Sequence, residues 1–129
     1  MMSKERFDQL SEGLLFQSET DAPLTYYELE LDPERSQQWP PSMAALFLRL
    51  IGEDPLMPVE KLAPEKFFRD LRSGNEDRED QVAALKRTMT EELKNLEGFR
   101  VGEIQIRIFV LGKDDSGKVV GLQTLSVET

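Results

Sequence analysis

Two residue types are missing from this chain altogether. Without cysteine there are no disulfides and no thiolate zinc sites, which fits a reducing compartment and leads us to expect a cytoplasmic protein. Without histidine, the commonest general base, the Ser-His and Cys-His nucleophile pairs and the commonest metal ligand are gone. Catalysis would have to run on carboxylates, lysine or tyrosine, as in glycosidases that need only two carboxylates. The expectation is a protein that is not an enzyme and carries no cofactor of its own. Basic residues are also scarce. Sixteen Lys and Arg face 25 Asp and Glu, for a net charge of −9. A nucleic-acid binder needs a basic footprint, so direct DNA or RNA binding is not expected. Such charge keeps a chain soluble, and it also steers a basic partner. Long apolar runs are lacking too. Met1-Met2-Ser3-Lys4-Glu5-Arg6 has no apolar segment behind its charges, and no stretch approaches the roughly 20 apolar residues that cross a bilayer.

What remains is the composition of one globular domain, residues 1–129, with 39% hydrophobic and 32% charged residues. Phe7, Leu10 and Leu14 recur at helical spacing, so 4–16 reads as an amphipathic helix. Ser18 to Pro23 is a loop. Residues 24–31 alternate as a half-exposed strand, with Thr25, Tyr27, Leu29 and Leu31 on one side. Residues 32–41 hold three prolines and read as irregular. The Ala- and Leu-rich stretch 43–51 favours a helix that Gly52 stops. Residues 57–62 form a short edge strand, and Pro64 opens a helix over 64–72. Ser73 and Glu76 fit a capping box, with Asn75 as a rival cap. Val82, Leu85, Met89, Leu93 and Leu96 then predict a long helix ending at Gly98. Ile104, Ile106, Ile108 and Val110 alternate, Asp114–Gly117 turn, and 119–127 return as the second strand of a hairpin. Helices between strands and before the hairpin predict a mixed or largely antiparallel sheet with helices on both faces.

Several motifs have two readings. Gly112-Lys113-Asp114-Asp115-Ser116-Gly117-Lys118 matches most of a P-loop, but Val119 stands where the magnesium-binding hydroxyl belongs and the segment opens a strand, so it is a hairpin turn. It also lacks the alternate oxygen ligands of a calcium loop. Glu76, Asp77, Glu79 and Asp80 read as a solvated helix start or as an acidic face for a basic partner. Ser18-Glu19-Thr20-Asp21 is either a loop with local backbone bonds or a carboxylate held out on a loop tip. Trp39 is either an interface anchor or a lid over the core. Thr129 closes a strand-like run. A terminal Thr offers a hydroxyl and an α-carboxylate on a rigid support, oxygens that suit magnesium and its waters.

Leu14-Leu15-Phe16, Ser18-Glu19, Phe67-Phe68, Gly102-Glu103 and Val127-Glu128-Thr129 occur in an order and spacing that resemble the nuclease A inhibitor family. The resemblance runs over most of the chain. It implies an α+β fold, a three-layer α/β/α sandwich around a central, mostly antiparallel sheet of about four strands. It implies an inhibitor that blocks the active site of a magnesium-dependent, sugar-non-specific DNA/RNA endonuclease. Glu19 would take the phosphate position and Thr129 would reach the metal, which belongs to the partner nuclease. Glu128, Ser18 and Thr20 would flank them. In the family's best-known member the loop before the long helix carries an aromatic contact. Here Arg72-Ser73-Gly74-Asn75-Glu76-Asp77 has no aromatic, and Asn75 or Glu76 would stand in for it. The alternatives are an interaction domain of the same fold with another partner and, from a third class, a carboxylate-dependent hydrolase.

Overall fold

The computed structural model describes residues 2–129; Met1, the first residue of the N-terminal stretch read as lacking an apolar segment, lies outside them. Elements follow in the order α1 (Lys4–Ser11), β1 (Leu15–Gln17), β2 (Asp21–Pro23), β3 (Thr25–Leu29), α2 (Pro33–Ser36), α3 (Ala44–Leu50), β4 (Val59–Leu62), α4 (Pro64–Ser73), a 3-10 turn (Glu76–Arg78), α5 (Glu79–Glu92), β5 (Lys94–Val101), β6 (Gln105–Lys113) and β7 (Val119–Val127). β1 and β2 form a small sheet of their own, and the main sheet runs β3-β7-β6-β5-β4. Each pairing is antiparallel.

The period of two along β6 explains how the sheet is buried on both sides. Ile106, Ile108 and Val110 enter one hydrophobic cluster, with Phe7 of α1, Phe67, Phe68 and Leu71 of α4, and Val82, Leu85 and Met89 of α5. Phe109 and Leu111 enter a second, with Trp39, Phe47, Leu48 and Phe99. Trp39 is therefore a core residue, 4% exposed, and its indole N–H donates to the Asn95 carbonyl at 2.9 Å. Phe47 and Phe99 stack at 4.1 Å between ring centroids, and Trp39 meets both rings edge-on.

The expected three-layer α/β/α sandwich of about four strands needs correction. The main sheet has five strands, all antiparallel, beside a separate two-stranded sheet. The second cluster is covered by the single short helix α3 and the Trp39 segment, since α2 buries no residue. Among the described residues the fold is a mixed α/β arrangement of five α-helices and two antiparallel sheets. Part of the error lies after α5. The helical spacing of Leu93 and Leu96 carried the expected helix to Gly98, but α5 stops at Glu92 and Leu93 is already extended. An irregular register between Lys94 and Glu97, with Asn95 at φ 54°, then sets β5 against β6.

The other displaced boundary shapes the site. Residues 12–16 do not continue α1. Gln81 of α5 donates to the carbonyls of Leu10 and Glu12 at 2.9 and 2.7 Å, taking up acceptors that another helical turn would use. Gly13 turns the chain with φ 81°, and a Cβ there would lie 2.8 Å from the Arg78 guanidinium. Leu15–Gln17 is thus free to pair with Asp21–Pro23.

Candidate functional site

The segment read as a loop holds the turn of a β-hairpin and its second strand, β2. Gln17 pairs with Asp21, leaving Ser18, Glu19 and Thr20 at the tip. The Ser18 amide donates to the Thr20 carbonyl at 3.0 Å, and the Ser18 hydroxyl reaches the same oxygen at 3.1 Å. These bonds close the turn locally, as short hydroxyl side chains do in tight turns.

The tip is also tied to the end of β7. The Ser18 hydroxyl accepts from the Val127 amide at 2.9 Å, and the Glu19 amide donates to the Val127 carbonyl at 3.2 Å. Further along, the Thr124 hydroxyl donates to the Pro23 carbonyl at 3.0 Å. These bonds bring together the two residues expected at the site: the Thr129 hydroxyl donates to Glu19 Oε1 at 2.6 Å, with both side chains exposed. The other Glu19 oxygen has no partner among the described residues. A carboxylate in the hairpin turn and a hydroxyl just past the end of β7, both hard oxygen donors, face solvent together.

Glu128 has a different place. Arg100 Nη2 donates to both of its carboxylate oxygens at 2.7 Å, the Ser126 hydroxyl donates to Oε2 at 2.7 Å, and the Glu128 amide donates to the Ile104 carbonyl at 2.9 Å. Hydrogen bonding from Arg100, then from Ser126, holds the Glu128 carboxyl below its ordinary 4.5; desolvation opposes that shift, and the charges of Arg100 and Lys66 add to it. Arg100 Nε also meets Glu60, its cross-strand neighbour on β4, at 2.9 Å. Sequence reading missed Arg100. Its signal is the cross-strand pair with Glu60, and that pair is visible only once β5 is placed beside β4.

Asn75 is 5% exposed. Its carboxamide accepts from the Leu15 amide at 3.2 Å and donates to the Leu15 and Leu71 carbonyls at 2.9 and 2.7 Å, pinning β1 to the end of α4. It makes no side-chain cap, and the Ser73 hydroxyl turns back to Arg69 rather than forming the expected capping box. Glu76 is exposed on the 3-10 turn, and no bond in the structure joins it to the Glu19–Thr129 pair. The Asp114 carboxylate accepts from the Ser116 amide and hydroxyl and from the Lys118 amide at 2.7–3.0 Å, so the P-loop-like stretch is the turn between β6 and β7.

Among the described residues no group of three or more acidic side chains is arranged to hold a metal ion. None of their helices is long and apolar enough to cross a membrane. A cleft of about 300 Å³ is lined by Glu60, Arg100, Glu103 and Glu128.

The model of the nuclease A inhibitor-like protein family matches residues 3–129. The chain belongs to that family. No curated protein matches it. Membership in this inhibitor-like family implies a nuclease as partner and an inhibitor's role.

Proposed function

We propose that this member of the nuclease A inhibitor-like family blocks the active site of a magnesium-dependent, sugar-non-specific endonuclease with the tip formed by Glu19 and Thr129. The observation that carries the reading is the 2.6 Å hydrogen bond between those two exposed side chains, which come from opposite ends of the sequence. Glu19 occupies the position of a scissile phosphate among cationic groups, where charge-assisted bonds are strongest. The Thr129 hydroxyl approaches the partner's magnesium or a water on it, as suits a cation that keeps several waters. Ser18 and Thr20 shape the turn that carries Glu19. Glu128, held by Arg100, sets the direction of the last residues. Net charge of −9 favours fast, salt-sensitive association with a basic groove.

The test is inhibition of a purified magnesium-dependent nuclease by wild-type protein and by Glu19→Ala and Thr129→Val. Losing a charged partner from a desolvated contact costs about 2–5 kcal/mol, so Glu19→Ala should raise the inhibition constant by roughly thirtyfold to several thousandfold. Thr129→Val should cost about tenfold, the ~1.5 kcal/mol of one hydrogen bond. Both variants inhibiting like wild type, with the fold intact, would rule out the tip as the site.

One observation favours a second reading, an interaction domain of the same fold with a different partner. The stretch Arg72–Asp77 has no aromatic, and Asn75 within it is buried. Under that reading even the wild-type protein leaves such nucleases active, and a pull-down recovers a different protein.

A further inference from the structure

We infer that Ile104 is an apolar anchor of the nuclease-facing surface, seated on the rim of the partner's groove beside the Glu19–Thr129 tip. The inference rests on the site reading above and adds a contact to it. Along β6 the alternation sends Ile106, Ile108 and Val110 into the core. Ile104 is the next position in that series, yet it stands in the turn before β6 and is 57% exposed. Its exposure is built in. Gly102 holds φ 120°, and a Cβ there would lie 2.3 Å from the Gln105 carbonyl, so the turn is too tight for most other residues. The Gly102 amide donates to the Pro58 carbonyl, and the Ile104 carbonyl accepts from the Glu128 amide, both at 2.9 Å. Ile104 is therefore one backbone hydrogen bond from the residue that precedes Thr129. A stiff β-branched side chain on a backbone fixed from two sides loses little entropy on docking. Anchors of this kind supply affinity where charged groups mainly supply steering and specificity. The occupant that fits is an apolar patch bordering a basic groove. Glu103 beside it, which has no partner among the described residues, meets the cationic edge.

The experiment compares wild-type protein, Ile104→Ala, Ile104→Leu and Glu19→Ala for nuclease inhibition at low and at high salt, with thermal unfolding of each. Ile104→Ala should raise the inhibition constant about tenfold, equivalent to ~1.4 kcal/mol. That factor should be the same at both salt concentrations, with an unchanged melting temperature. Ile104→Leu should retain inhibition within about threefold, as volume-conserving apolar swaps do. Glu19→Ala should lose more at low salt than at high salt. Unchanged inhibition by Ile104→Ala beside a weakened Glu19→Ala overturns the anchor and leaves the site reading standing. Full inhibition by Glu19→Ala overturns the site reading and the anchor with it. A loss by Ile104→Ala that is matched by a fall in melting temperature also overturns the anchor, because it assigns the residue to stability.

Discussion

Replacing Asn75 tests whether a residue that the family resemblance put at the partner interface belongs there or to the fold. The side chain is 5% exposed and uses its carboxamide three times. Asn75→Ala takes the side-chain acceptor from the Leu15 amide and a side-chain donor from each of the Leu15 and Leu71 carbonyls. Leu15 is 37% exposed, so water recovers part of the loss at its two groups. The Leu71 carbonyl lies in a buried contact and recovers little. With each bond worth about 0.5–1.5 kcal/mol net, and more where a group is stranded, the cost is ~2–3 kcal/mol. For a domain of this size that lowers the melting temperature by about 6–15 °C. Asn75→Asp should be less stable still at neutral pH, because it keeps the acceptor but turns a buried anion toward two carbonyls. Such a carboxyl has a folded-state pKa raised above its unfolded value. Its deficit therefore shrinks as pH falls through the raised folded value and is smallest below the unfolded one. Thermal unfolding by circular dichroism across pH reads both effects. A melting temperature for Asn75→Ala within about 2 °C of wild type, together with weakened inhibition, would refute the argument and place the amide at the partner surface.

Two further outcomes follow from the same geometry. The folded Glu128 carboxyl lies below its ordinary 4.5, so the Arg100 pair adds stability above that pH and loses it as pH falls through the lowered value. The side chain is 46% exposed and screened, so the contribution is ~0.5 kcal/mol or less. Glu128→Gln should melt slightly below wild type near neutrality and coincide with it in strong acid; a gap that widens in acid contradicts the assignment. The single tryptophan is buried against Phe47 and Phe99. Its emission should be blue-shifted and resist acrylamide quenching until the protein unfolds, and quenching as efficient as that of a free indole would remove it from the core.

Where the sequence was legible, local chemistry and tertiary structure agreed. Pro64 opened α4, the β-rich return of 119–127 was β7, and the Asp114 turn formed the hairpin its side chain demanded. The misreadings arose where a distant group decided a local matter. Gln81 ended α1, although Phe7, Leu10 and Leu14 kept helical spacing. Leu93 and Leu96 still face the first cluster, but they do so across the entry to a strand rather than along a helix. The pairing of Glu19 with Thr129 could not be derived from spacing, since nothing local links them; it was implied only by resemblance. Arg100 stayed hidden for the same reason, because its partners lie on β4 and beyond the end of β7.

The contact between Glu19 and Thr129 spans 110 positions of sequence. Bonds at that separation form only after the intervening chain has condensed, because loop closure must come before they can contribute. β7 pairs with both β6 and β3, so the tip depends on strands that are in place only in the assembled sheet. Partly folded chains therefore lack the tip, whatever secondary structure they hold. Inhibition through the tip proposed above would double as a gauge of complete folding: a population that is half native would hold half of the inhibitor.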